Sequence, residues 1–164
     1  ILWGFDVTYL SSHLGAMERR AEFFGVYLEL AEEYRLPVRL PSASDQRSLG
    51  VPLSSLAAQA GVLSPDHVVA VRGGSARGTI EQALSNLEPG VTELRLRPAV
   101  DTPELRALGG DWADRVGDLD VAMDADISVL MQRAGAELIG WAELRRAMGR
   151  RSGSSVEAAR TGRT

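Results

Sequence analysis

Residues 67–100 read HVVAVRGGSARGTIEQALSNLEPGVTELRLRPAV. The stretch opens on an apolar, valine-rich run at 67–72, crosses the turn GGSARG and enters a helical pattern at 79–87 (TIEQALSNL). A turn, EPG, leads into a second strand-like run at 91–100 (VTELRLRPAV). Valine and threonine suit the pleated, half-buried surface of a strand. Strand, helix and strand in succession indicate an α/β fold with a mainly parallel sheet.

The alternation continues in both directions. Upstream, 5–12 (FDVTYLSS) is strand-like, and 17–34 (MERRAEFFGVYLELAEEY) predicts an amphipathic helix with Phe24, Tyr27, Leu28 and Ala31 at helical spacing. Pro37 ends that helix, VRL at 38–40 reads as a short strand, and 42–50 as a polar loop. Residues 53–60 read as a helix closed by Gly61. Downstream, Thr102, Pro103 and Glu104 form a helix start. Further helices are expected at 111–120, 124–134 and 142–149, with a last strand at 136–140 (AELIG). From Arg150 the chain is rich in Ser, Gly and Arg without apolar periodicity, so 150–164 is read as a disordered tail on a domain covering 1–149.

About five strands result. A complete (β/α)8 barrel takes about 250 residues, so in 164 residues a barrel would be incomplete. An open doubly wound sheet would fit the length unaided. The chain starts at Ile1 inside apparent structure, so residues upstream of it are expected.

Composition excludes several chemistries. An apolar content of 45% is enough for a core, which argues against disorder. A net charge of -4 argues against broad nucleic-acid binding, which needs a basic face. The absence of cysteine removes disulfides, thiolate catalysis and Cys-ligated zinc. All the positive side-chain charge is arginine, so neither a Schiff-base lysine nor a P-loop lysine exists here. No apolar run approaches the roughly 18 residues of a membrane span, so no membrane partner and a cytoplasmic location are expected.

Candidate chemistry lies on two strands. Side chains alternate along a strand, so Tyr9, Ser11 and His13 share one face near its C-terminal end. Ligands bind at that end of α/β strands, and a neutral imidazole there could ligate a metal. An ordinary hydrogen-bonded histidine is the competing reading. On 91–100, Glu93, Arg95 and Arg97 share one face, and Arg97 and Asp101 flank Pro98. Arginine there could bind a carboxylate, a phosphate or sugar hydroxyls, or make a structural ion pair. GGSARGT at 73–79 has P-loop glycine spacing, but no lysine follows the second glycine, so a strand-to-helix turn is the better reading. His67 reads as structural, Trp112 and Trp141 as packing residues, and the acidic run at 118–126 lacks the glycine and terminal glutamate of a calcium loop.

Five segments carry a resemblance: VTYLSSHLG (7–15), FFGVYLELAEEYRLPVRLP (23–41), GVLSPDHVV (61–69), PGVTELRLRPAVDTPELRAL (89–108) and GAELIGWAELR (135–145). In this order they are similar to the ChbG/HpnK, or YdjC-like, carbohydrate deacetylases, over about residues 3 to 146. The resemblance implies the C-terminal portion of a barrel-like β/α fold of polysaccharide-deacetylase type. It implies a metal-dependent hydrolase that removes acetyl groups from N-acetylated sugars. A divalent metal, Mg or Zn, would polarise the amide carbonyl and activate water while a carboxylate takes the proton. The expected partners are a small carbohydrate substrate and no nucleic acid, with room for a homodimer.

The family's strand usually reads T-H-x-D-S-H, and its last histidine, a metal ligand, matches His13. Tyr9 stands at the first histidine and Ser11 at the aspartate. Arg97 stands where a histidine usually precedes Pro-Ala. The family's Asp pair and other metal histidine are expected upstream of Ile1. By the same resemblance Arg39, Arg97 and Asp101 would line the substrate pocket. Ser11 cannot replace a carboxylate's charge, and Tyr9 is a poor ligand for a hard ion. Arg97 keeps its proton, so it cannot cycle as an acid, though it can stabilise an oxyanion. The alternatives are a carbohydrate-binding relative without the chemistry, and an open α/β domain that binds a phosphorylated ligand through arginines.

Overall fold

The structure is a computed structural model that describes residues 4–71 and 75–150. The chain forms two compact units. One comprises the described residues up to Pro65 together with those from Ile139 onward; the other is Asp66–Leu138.

In the first unit two 3-10 turns, His13–Gly15 and Met17–Arg19, lead into helix α1 (Ala21–Glu33). Phe24, Tyr27 and Ala31 of α1 are buried, which is the face the sequence periodicity marks. Helix α2 (Ala43–Leu49) and helix α3 (Leu53–Gln59) follow. Leu53 and Ala57 of α3 pack with Val38, Leu40, Val62 and Met148 against the buried face of α1. Leu10 and Val38 form a single parallel bridge, in which the Leu10 N–H donates to Pro37 O (2.9 Å) and the Arg39 N–H to Leu10 O (2.9 Å). The last of the described helices, α8, covers the described residues 141–150.

The second unit contains the strand–helix–strand element. Strand β1 (His67–Ala70) and strand β2 (Thr92–Arg95) pair in parallel, with His67 opposite Thr92 and Ala70 opposite Arg95. Helix α4 (Ala76–Ser85) connects them. It packs Ala76 and Ile80 against Val71 and Val121, the last carried by α6 (Trp112–Ala122). Helices α5 (Pro103–Leu108) and α7 (Asp126–Arg133) complete the unit. Thr102 caps α5 by accepting from the Leu105 N–H (3.2 Å), as the Thr-Pro-Glu start predicts.

Several expectations need correction. The mixed α/β class and the parallel pairing hold, but the described strands number two, and no barrel is traced among the described residues. The runs at 5–12 and 38–40 meet only at the Leu10–Val38 bridge, and 136–140 is irregular. Leu138 there is 80% exposed, so this side chain gains no burial from the expected strand. The expected loop at 42–50 is helix α2. Ser42 caps it by accepting from the Asp45 N–H, and Gly50 ends it at φ 70. The expected helix from residue 17 begins at Ala21, because Arg20 is extended (φ -138, ψ 137). Helix α4 starts ahead of the expected residue 79, since the Ser75 hydroxyl accepts from the Gly78 N–H (3.1 Å). The tail expected to be disordered falls, beyond Arg150, outside the described residues. Among the described residues no helix is long and apolar enough to cross a membrane.

Candidate functional site

In the first unit Tyr9, Arg39 and Trp141 come together. The rings of Tyr9 and Trp141 stack with centroids 4.4 Å apart and planes inclined by 18°. The Arg39 guanidinium carbon lies 5.5 Å from the Tyr9 centroid and 5.9 Å from that of Trp141, within cation–π range of both. All three are half-buried. The backbone below is locked by Tyr27, whose hydroxyl lies 2.9 Å from Leu10 O and 3.2 Å from Arg39 O. A buried α1 side chain therefore sets the spacing between the segments that carry Tyr9 and Arg39.

The polar ladder does not run through to His13 as a strand. Ser12 is the last extended residue, and its hydroxyl accepts from the Met17 N–H (2.9 Å), which folds the chain back. Leu14 and Gly15 then take positive φ (53 and 67). His13 thus sits exposed on a 3-10 turn, and Ser11 is exposed beside it. Glu18, on the next turn, is 5% exposed, and its Oε2 has no hydrogen-bond partner among the described residues.

The other expected site residues lie in the second unit, and each is engaged in an ion pair. Arg97 pairs with Asp111 (3.0 Å) rather than Asp101, and its backbone N–H donates to buried Asp118 (2.7 Å). Asp101 takes a two-pronged pair from Arg106 (2.7 and 2.6 Å), whose guanidinium also lies over the Trp112 ring. That pair holds the Asp101 carboxyl below its ordinary range. Asp111 is likewise lowered, first by the hydrogen bond from Arg115. Glu93 pairs with Arg95 on its own strand (2.7 Å). His67 lies 3.4 Å from Pro89 O at the start of β1, in keeping with a structural role.

A catalytic metal needs about three protein ligands. Among the described residues no three His, Cys, Asp or Glu side chains gather closely enough to hold one. His13 and the orphaned Glu18 carboxylate offer the right donor chemistry on adjacent turns, but two groups fall short, so the described residues do not by themselves fit a catalytic metal.

Nothing in the sequence singles out Glu18, and Trp141 is expected from it to be a packing residue. Trp141 does pack, and its partner is a residue of the motif strand. The signal for it was slight: an aromatic placed just after Gly140, where α8 begins.

A family model described as "YdjC-like protein" matches residues 2–133. Among solved structures the chain is similar to a protein of Enterococcus faecalis described as a "putative cellobiose-phosphate cleavage protein". The TM-score is 0.67 at 21% identity, over 86% of this chain and 54% of that one. At that identity the likeness establishes a shared fold, and the chain spans about half the length of that structure. No curated protein matches the chain.

Proposed function

Because this chain belongs to the YdjC-like family, we propose that the protein it comes from processes carbohydrates, as a hydrolase that removes acetyl groups from N-acetylated sugars. The family match over residues 2–133 is the observation that carries this reading. The carbohydrate description of the structural neighbour supports its substrate class. In this proposal His13 is the surviving ligand for a divalent metal, Mg or Zn, and the remaining ligands come from outside the described residues. Arg39, Arg97 and Asp101 contribute to binding the sugar, Arg39 from its place over Tyr9 and Trp141.

The test is acetate release from N-acetylglucosamine oligomers by the full-length protein with a divalent ion, together with metal content by elemental analysis. Release that is lost in His13→Ala, with metal lost in parallel, is the expected result. Absence of acetate release would overturn the hydrolase reading, and absence of sugar binding as well would overturn the carbohydrate reading altogether.

A second reading is a carbohydrate-binding relative without the chemistry. It is favoured by the Tyr9–Trp141 stack, which gives an aromatic packing role to the position where the family carries a histidine. Sugar binding without acetate release would select it.

A further inference from the structure

A cleft of about 310 Å³ opens in the first unit where α8 passes the C-terminal end of α1 and the segment that precedes Tyr9. Its volume is at the lower end of small-ligand sites, which span roughly 300–1,000 Å³. Residues 142, 145, 146 and 149 line one side, the i, i+3, i+4, i+7 face of α8. Leu144 and Met148 on the opposite face are buried. Ala142 and Gly149 are small and leave the space open. Arg145 and Arg146 of α8, Arg35 from the α1 end, and Thr8 and Tyr34 also line it. Asp6 is the one carboxylate in the lining, and it is paired with Arg145 (2.7 Å).

Arg35 is the informative residue. Its N–H donates to Glu32 O (3.1 Å), and the Leu36 N–H donates to Ala31 O (2.8 Å). This is the double hydrogen bond of a Schellman helix end, in which the residue past the helix is left-handed and usually glycine. Here that residue is an arginine at φ 51. A non-glycine residue in that region is strained; such strain persists where the surrounding structure holds it, and it clusters at ligand sites. Among the described residues Arg35 has no carboxylate partner, whereas Arg145 and Arg146 are paired with Asp6 and Glu143.

We propose that Arg35, Arg145 and Arg146 form a binding site for a small phosphate-bearing ligand, separate from the turn that carries His13. Planar guanidinium forks match phosphate oxygens in pairs. With Arg145 and Arg146 paired to Asp6 and Glu143, Arg35, unpaired among the described residues, leaves the cleft with a net positive charge. The inference is independent of any metal at His13.

The test is calorimetric titration of the full-length protein, at physiological ionic strength, with inorganic phosphate, glucose 6-phosphate and glucose. Both phosphate compounds are expected to bind and glucose is not. Tighter binding of the ester assigns the cleft to a phosphate ester; tighter binding of phosphate assigns it to the free ion. Arg35→Gly is expected to weaken binding at least about tenfold, the loss of one charge-assisted contact, without lowering the melting temperature, because glycine relaxes the helix end. Arg35→Asn, also tolerated at positive φ, serves as the second variant, and Arg145→Ala is expected to weaken binding as well. Absence of phosphate binding, equal binding of glucose and its phosphate, or unchanged affinity in both Arg35 variants would overturn the proposal.

Discussion

Tyr9 and Trp141 lie ring on ring at 4.4 Å, which joins the motif segment near the start of the chain to the first residue of α8. Arg39 covers both rings from the adjoining bridge. Trp141→Ala removes the stack and its buried area together. The expected loss is about 2 kcal/mol of folding stability, combining the aromatic pair with a partly buried large-to-small change. Urea unfolding measures it. A loss of less than about 0.5 kcal/mol, the range of ordinary surface changes, would show that the stack contributes nothing to the unit.

Gly90 is fixed by its neighbour. It sits at φ 121, and a Cβ there would come within 2.6 Å of Asp66 Oδ2. Asp66 cannot simply move aside, because that oxygen accepts from the Val91 N–H (2.8 Å) at the start of the parallel pairing. Gly90→Ala is therefore expected to cost about 2–3 kcal/mol, from backbone strain and a broken hydrogen bond. Thermal melts of the two proteins, compared at one pH, check it, and an unchanged melting temperature would contradict the geometry.

What the sequence disclosed follows from the range of each signal. Helix α1 was legible because its buried residues repeat at helical spacing, and β1, α4 and β2 because the pattern changes period at a glycine turn. Helix α2 was not, since seven largely polar residues carry no apolar stripe. Its Ser42–Asp45 cap and Gly50 stop use residues that equally suit a polar loop. The strand at 136–140 failed for the converse reason, because Leu138 is apolar yet faces solvent. At the site, alternation puts Tyr9, Ser11 and His13 on one face but could not foresee that the Ser12 hydroxyl would accept from the Met17 N–H and turn the chain before His13. Nor could it tell that Arg97 would pair with Asp111 instead of Asp101, since that choice depends on where α6 begins.

Acid stability follows from three depressed aspartates of the second unit. Asp101 is lowered by the hydrogen bond from Arg106, Asp111 by that from Arg115, and Asp124 first by the Asp126 backbone N–H and then by Arg77. A carboxyl with a lower pKa in the folded state stabilises fully above its ordinary value and loses that contribution as pH falls through the lowered one. Stability is expected to be level from neutral pH to about pH 5 and to fall below 3.8, the ordinary value of the three. Asp111→Asn should remove part of that fall. Urea midpoints across the series measure it, and an identical acid limb in the variant would rule out a contribution from Asp111.

Glu18 makes the sharpest stability prediction. Its carboxylate is buried in the turn beside His13, and Oε2 meets no donor among the described residues. An ionised group held that way costs desolvation without return. Glu18→Gln keeps the volume and removes the charge but leaves a polar group in place, so it is expected to raise stability by about 1 kcal/mol, a fraction of the several kcal/mol that an unpaired buried charge costs. Equilibrium urea unfolding in the presence of a chelator is the measurement. A destabilised variant would mean that the ionised carboxylate already has a partner in the protein. Repeating the comparison with added magnesium or zinc then tests the metal proposal directly. If the wild-type protein gains stability from the ion and Glu18→Gln does not, Glu18 joins His13 as a ligand; if both gain equally, the ion is held without it.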